Sequence, residues 1–287
     1  MRLSLSITLI LTATLIAVGI YAARPYLPDL WRFAWWRLSS PTVLSGDVIS
    51  GDALIHYRVH GQGQPLLLLH GGLSSSLDWY AQLPELSRQF KVVSIDSRGH
   101  GHSTLGQQPY GYTLLANDVL AVMDQLGLSS ADVAGWSDGG NIALLLAQRH
   151  PERVRRVLAI SANAHPDGLT DEASDTIKGM NPEKPPRLKQ LLYFLQSPHP
   201  SRLVALRRAV LAMWQYGPHF SCDNLSQINA PVLLMIGEND DIALEHAEHM
   251  LSCLPHGTLE VLDSVGHSVP QSAPQRVLRR MLRFFSA

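Results

Sequence analysis

Apolar residues in this chain come in short unbroken runs and in longer periodic ones. The unbroken runs are PLLLLHGG (65–72), KVVSID (91–96), ADVAGW (131–136), RVLAIS (156–161), PVLLMIG (231–237) and TLEVLD (258–263). A short apolar run without alternation fits a strand covered on both faces, as in the middle of a parallel sheet. Between these runs, apolar positions return at helical spacing over 77–90, 113–126, 138–149, 243–254 and 274–285. Upstream, VISGDALIHYRVHGQGQP alternates apolar and polar positions between glycine-rich breaks and predicts one or two antiparallel strands. Strands alternating with helices predict an α/β protein with a doubly wound, mostly parallel sheet. In such a sheet, chemistry sits on loops at the carboxyl ends of the strands.

One stretch departs from this rhythm. Residues 163–222 follow a strand and reach no other, and they carry Pro182, Pro185, Pro186, Pro198 and Pro200. A structureless loop of that length does not suit a compact domain. Helical patterns near 187–196 and 201–216 instead predict a small helical lid inserted over the site.

The N-terminus follows a third pattern. From Leu3 to Ala23 there is no charge, and Arg2 and Arg24 bracket the run. Its length is close to the ~20 residues that cross a bilayer as a helix. The rival reading, a cleaved signal peptide, calls for a shorter apolar core and an A-x-A-like site. Here Tyr21-Ala22-Ala23 puts a bulky residue where a small one is wanted, so residues 1–24 read as a transmembrane anchor. Residues 25–41 form a stem with Trp31, Trp35 and Trp36 beside Arg32 and Arg37, residue types that settle at lipid headgroups or pack on a domain. The catalytic domain is then 42–287. A signal anchor places it outside the cytoplasm, whereas Arg24, Arg32 and Arg37 pull the other way under the positive-inside rule.

Composition narrows the partners. The 287 residues are 46% hydrophobic and only 16% charged, with a net charge of −1. No basic stripe exists for nucleic acid. Two cysteines exclude a disulfide framework and a four-cysteine zinc site; Cys222 and Cys253 could pair, but nothing in the sequence requires it, and they read as two buried or free thiols.

The chemistry concentrates in four places. Gly135-Trp136-Ser137-Asp138-Gly139-Gly140 follows a buried strand and opens a helical pattern, the setting of a nucleophile elbow. A serine hydroxyl needs a base, and His267, in Ser264-Val265-Gly266-His267-Ser268 after the last strand, is the best placed. His100 and His102 in a glycine-rich turn, and His246 and His249 on a predicted helix without a third metal ligand, read as structural. Gly237-Glu238-Asn239-Asp240-Asp241 supplies the acid that orients the base; Asp240 is the choice, with Asp241 and Glu238 behind it. His70-Gly71-Gly72 ends a strand in a turn whose N–H groups face outward. The N–H of Gly72 (or Leu73) and that of Asp138 are the expected oxyanion donors. Trp136, Trp79 and Trp214 are candidates for lining the substrate pocket. The Asp138 carboxylate either caps the helix or faces the pocket, where it would pair with a substrate ammonium.

With these blocks in place, the chain from about residue 45 onward resembles the α/β-hydrolase superfamily. The shared motifs are HGG at 70–72, Asp96-Ser97-Arg98-Gly99-His100-Gly101-His102-Ser103, GWSDGG at 135–140, GENDD and GHS. GWSDGG is similar to the subgroup of valacyclovir hydrolase and related bacterial esterases. The resemblance implies a lidded carboxylic-ester hydrolase that uses no metal or other cofactor and takes a small-molecule ester or acyl substrate. It also implies that Asp96 and Arg98 hold loops rather than touch substrate. The anchor and the Trp-rich stem depart from the family pattern. Ser137 speaks against the dehalogenases and epoxide hydrolases of this fold, which carry aspartate there. The same triad would serve a lactone, thioester or C–C hydrolase or an acyltransferase, because fold and triad do not fix substrate. A catalytically silent binding module is the rival from another class.

Overall fold

The computed structural model describes residues 44–287, together with Trp31, Ala34, Trp35, Arg37 and Leu38, which are helical. The expected membrane span over 3–23 lies outside the described residues. Among the described residues no helix is long and apolar enough to cross a membrane. The chain divides into two units at residues 41 and 42.

In the second unit eight strands form one sheet: β1 (Leu44–Ser50), β2 (Ala53–His60), β3 (Gln64–Leu69), β4 (Phe90–Ile95), β5 (Ala131–Trp136), β6 (Val154–Ile160), β7 (Val232–Asn239) and β8 (Gly257–Gly266). Their order is β1-β2-β4-β3-β5-β6-β7-β8. Only β2 runs against its neighbours. The six apolar runs all became strands, and the alternating segment became the β1–β2 hairpin. Burial explains the difference in pattern. Leu66 to Leu69 of β3 are each 0% exposed, whereas edge strand β1 exposes every second residue or more.

Helices α1 (Leu83–Leu86), α2 (Tyr112–Gln125) and α3 (Asp138–Arg149) connect the first half of the sheet. The expected helix at 77–90 is in fact two pieces, a single 3-10 turn at Ser76–Trp79 and then α1. Pro84 is the reason: it has no N–H to continue a helix from upstream and is tolerated only in a first turn. Between β6 and β7 the chain leaves the sheet to form α4 (Asp171–Gly179), α5 (Arg187–Gln196), α6 (Leu203–Tyr216) and α7 (Cys222–Ser226). These helices occupy the stretch where a lid is expected, fastened below by Leu206, Val210 and Met213 of α6, all buried. Then come α8 (Leu244–Cys253), α9 (Val269–Ser272) and α10 (Pro274–Phe285). Cys222 and Cys253 are not the two separate thiols expected: a disulfide joins them, Cα–Cα 5.1 Å, because α7 and α8 bring together positions 31 residues apart, and it ties the end of the 163–222 insertion to α8.

A buried ion pair fixes the loops under the lid. The Arg98 side chain is fully buried, and its guanidinium forks onto Asp118 at 2.9 and 2.7 Å. It also meets Asp52 at 2.6 Å and the Ser50 carbonyl at 2.9 Å. Asp96 accepts the N–H groups of Ser76 and His102 at 2.9 and 3.0 Å. Both residues therefore hold loops, as the resemblance implied.

Candidate active site

The turn between β5 and α3 puts Ser137 in a backbone conformation that few non-glycine residues adopt, with φ +53° and ψ −119°. The turn closes because its flanks are bare. A Cβ on Gly135 would lie 2.0 Å from the Gly139 carbonyl oxygen, and one on Gly139 would lie 2.3 Å from that of Leu69. Lifted in this way, the Ser137 hydroxyl lies 3.0 Å from His267 Nε2, to which it can donate. His267 Nδ1 lies 2.7 Å from Asp240 Oδ1.

The three carboxylates of the 238–241 loop are now distinguished. Asp241 Oδ2 is 4.0 Å from His267 Nδ1, and Glu238 accepts the Ser264 N–H at 2.7 Å. Only Asp240 is both buried and in direct contact with the imidazole. Its other oxygen accepts the Ser161 hydroxyl at 2.6 Å and the Gly237 N–H at 2.9 Å. Ser161, with φ +51° at the end of β6, belongs to this set and was missed in the sequence reading. The rule that functional groups cluster at strand carboxyl ends was the available signal, since Ser161 closes the run RVLAIS.

Burial pushes the Asp240 carboxyl up, but the His267 hydrogen bond and charge, with Ser161 and the Gly237 N–H, outweigh it and hold the carboxyl below its usual range. At His267 burial opposes protonation, and the Asp240 hydrogen bond and charge overcome it, so the imidazole sits above its ordinary value. The two shifts agree: the pair favours imidazolium beside carboxylate, the state a general base reaches after taking a proton.

Gly72 and Leu73, the two candidate oxyanion donors of the 70–73 turn, differ in their contacts. The Leu73 N–H is already used, donating to His100 Nε2 at 3.0 Å. Gly72 lines the cavity beside Ser137, and the Asp138 N–H opens α3. Two buried histidines pin this loop. His70 Nε2 accepts the Ser97 N–H at 2.9 Å, and His100 Nδ1 faces the Arg98 carbonyl at 3.0 Å.

Of the three candidate tryptophans, two line the cavity. Trp136 donates its indole N–H to the His267 carbonyl at 2.8 Å. Trp214 donates to both oxygens of Asp138 at 2.9 Å. Trp79 does not: it is 0% exposed, packed in the core beneath the 3-10 turn, and its assignment as a lining residue is corrected. The Asp138 side chain makes no helix cap. It turns toward Trp214 of α6 and the first residue of α2, Tyr112, which also donates to it at 2.8 Å. Burial raises its pKa against these two hydrogen bonds.

The cavity is about 620 Å³. Its wall carries the carboxylates of Asp138, Glu172, Glu238, Asp240 and Asp241 and, among the described residues, no lysine or arginine. A group with metal-ligand spacing lies elsewhere: His56, Asp96 and His102 bring their donor atoms within 4.8 Å of one another. The Arg58 guanidinium fills the cation's place there, 3.1 Å from His102 Nδ1 and 3.8 Å from Asp96. His246 is structural, accepting the Ala164 N–H at 2.9 Å.

Comparison with known proteins agrees with this geometry. Residues 64–196 match the model of the alpha/beta hydrolase fold family. A Caulobacter vibrioides protein named as a carbamate hydrolase, RutD, is 38% identical over 128 residues, 42% of this chain and 47% of that protein. On that match the chain spans about half the length of its relative. A Bacillus subtilis protein named as a carboxylesterase, nap, is 28% identical over 78% of this chain and 79% of its own. A solved structure described as Est816, an N-acyl homoserine lactone degrading enzyme, superposes with a TM-score of 0.69 at 25% identity, covering 83% of this chain and 100% of its own. Residues 64–196 belong to the alpha/beta hydrolase fold family, and the eight-stranded sheet around them has that fold.

Proposed function

We propose that this protein is a serine hydrolase of carboxylic esters, tethered to a membrane by residues 3–23. The observation that carries the catalytic reading is the continuous relay Ser137–His267–Asp240, at 3.0 and 2.7 Å, opening onto a cavity. His267 takes the Ser137 proton as Oγ attacks the ester carbonyl. The oxyanion that forms meets the N–H groups of Gly72 and Asp138. His267 then protonates the leaving alcohol, and the acyl group remains on Ser137. Water, activated by the same imidazole, attacks the acyl-enzyme and releases the acid. Asp240 keeps Nε2 of His267 free to accept and stabilises the imidazolium.

The wall of the cavity bears on the substrate. Besides the His267-paired Asp240 and the buried Asp138, the exposed carboxylates of Glu172, Glu238 and Asp241 repel an anionic acyl or alcohol group, so neutral and cationic esters are the proposed class. Lactones, as cyclic esters, enter by the same steps; the likeness to the lactone-degrading Est816 supports this second reading. The disulfide Cys222–Cys253 supports a domain that faces an oxidising compartment.

The test compares the wild type and Ser137→Ala on p-nitrophenyl esters of increasing chain length. An amino-acid ester, a lactone and a carboxylate-bearing ester complete the panel. Turnover by the wild type alone, with covalent labelling by a fluorophosphonate at Ser137, is the expected result. A folded wild type that neither turns over nor labels refutes the serine-hydrolase reading and leaves the binding module.

A further inference from the structure

Helix α5 turns its apolar face the wrong way for an isolated soluble domain. Leu191, Phe194 and Leu195, spaced i, i+3 and i+4, share one face of the helix. They are 53%, 64% and 68% exposed. The other side holds the helix to the domain: the half-buried Tyr193 donates its hydroxyl to the Gly99 carbonyl at 3.1 Å, and Leu192 and Gln196 line a small cavity with Leu73 and Tyr80. Single exposed apolar residues are ordinary, whereas a contiguous set on one face marks a contact surface. Its border is basic. Lys184, just before the helix, and Arg187, in its first turn, are exposed, and no Asp or Glu occurs between Lys184 and Arg202.

We propose that this face docks on an anionic phospholipid bilayer. Leu191, Phe194 and Leu195 enter the boundary between headgroups and acyl chains, while Lys184 and Arg187 meet lipid phosphates. An apolar stripe flanked by cations complements that surface in both hydrophobicity and charge. The inference rests on the tether proposed above. The uncharged run ends at Ala23, so only residues 24–43 separate it from β1. A domain held that close meets the bilayer at high effective concentration, and a small patch is then enough to seat it.

The two natural cysteines are bridged, so the full chain carrying Phe194→Cys has one free thiol for an environment-sensitive fluorophore. It is reconstituted into phosphatidylcholine vesicles with and without phosphatidylglycerol, and quenching by a lipid-borne nitroxide is compared with quenching by aqueous iodide. The expected result is lipid quenching that rises with phosphatidylglycerol and weakens at high salt. Adding Leu191→Ser and Leu195→Ser should cut it at least about threefold, with hydrolysis of a short soluble ester unchanged as the control for folding. Equal access to iodide in vesicles and in detergent overturns the docking while leaving the tether intact. Protection from both quenchers also overturns it, since it would put a second copy or the 3–23 segment on α5. A chain that does not float with vesicles overturns tether and docking together. A wild type inactive on the soluble ester removes the catalytic reading, and the quenching still decides the docking.

Discussion

Replacing His100 tests whether the oxyanion loop is held by hydrogen bonds at the site where a sequence reader sees only a glycine-rich turn. His100 is buried and spans two backbone groups, accepting from the Leu73 N–H at 3.0 Å and facing the Arg98 carbonyl at 3.0 Å. Leu73 has φ +54°, a conformation that persists only where its surroundings impose it. His100→Leu strands a buried N–H, which costs about 1–3 kcal/mol. The turn can relax instead, and the Gly72 N–H then moves away from the oxyanion position. Complete loss of one such donor costs about 3 kcal/mol of transition-state stabilisation, so a partial shift should lower kcat about ten- to a hundredfold. KM should change little. His100→Gln, whose amide oxygen can accept from Leu73, should recover most of the rate. The pH midpoint of activity belongs to His267 and should not move in either variant. A stability signature accompanies this. Burial, followed by the charge of His70, pushes the His100 pKa from 6.5 down to about 3. Between those values the unfolded chain binds a proton that the folded chain does not, so stability falls as pH drops below 6.5, by about 1.4 kcal/mol per pH unit. At about pH 5 the wild type should have lost about 2 kcal/mol through this group, and His100→Gln should not show that loss. The assay is steady-state kinetics on a soluble ester, with urea unfolding at neutral and mildly acid pH. A His100→Leu protein that is folded and within about twofold of wild-type kcat would falsify the reasoning.

Three further outcomes are expected. Asp240→Asn removes the charge that lifts the His267 pKa; activity in the wild type should rise as pH climbs through a midpoint above 6.5, and in the variant that midpoint should fall while kcat drops about 10⁴-fold, as read from a pH–rate profile. Arg98→Met leaves the buried Asp118 without its partner and should cost about 3–5 kcal/mol in urea unfolding, with lost activity following lost fold; a cost below about 1 kcal/mol would show that the pair is not structural. Replacing Cys222 and Cys253 by Ala opens a loop of 31 residues, so the midpoint of thermal unfolding should fall by an amount worth about 3–4 kcal/mol. A double variant as stable as wild type would mean that the bridge does not form in solution.

The elements most legible in the sequence were those whose burial is extreme. Leu66 to Leu69, Val92 to Ile95 and Val232 to Ile236 are enclosed on both faces, so periodicity and environment coincide. The elbow was legible for a related reason, because steric exclusion at Gly135 and Gly139 leaves a mark in residue type. Three things were hidden. The helix expected over 77–90 carried the right spacing, but Pro84 broke it. Trp79 looked like a pocket aromatic because size and position on a loop say nothing about which way an indole faces. Ser161 and His100 act through hydrogen bonds to groups 79 and 27 residues away, and no local pattern encodes such contacts.

His100 and His267 show how one residue type is set to opposite tasks within one loop cluster. Burial acts the same way on both, disfavouring the charged imidazole. What differs is the partner. His267 Nδ1 faces the carboxylate of Asp240, whose charge returns more than burial removes, so its Nε2 takes up a proton readily. His100 Nδ1 faces only the Arg98 carbonyl, a dipole without net charge, and its Nε2 already accepts from Leu73. It therefore stays neutral and serves as a fixed acceptor. The same logic applies to the acids. Asp240 is held ionised by an imidazole, while Asp138, met by the neutral donors of Trp214 and Tyr112, has its pKa raised by burial. A charged partner thus sits on the path of the proton, and neutral partners hold His100 and Asp138 beside the proposed oxyanion donors. A variant that exchanges one kind of partner for the other should shift the pH dependence of the rate when it touches the first set and the rate alone when it touches the second.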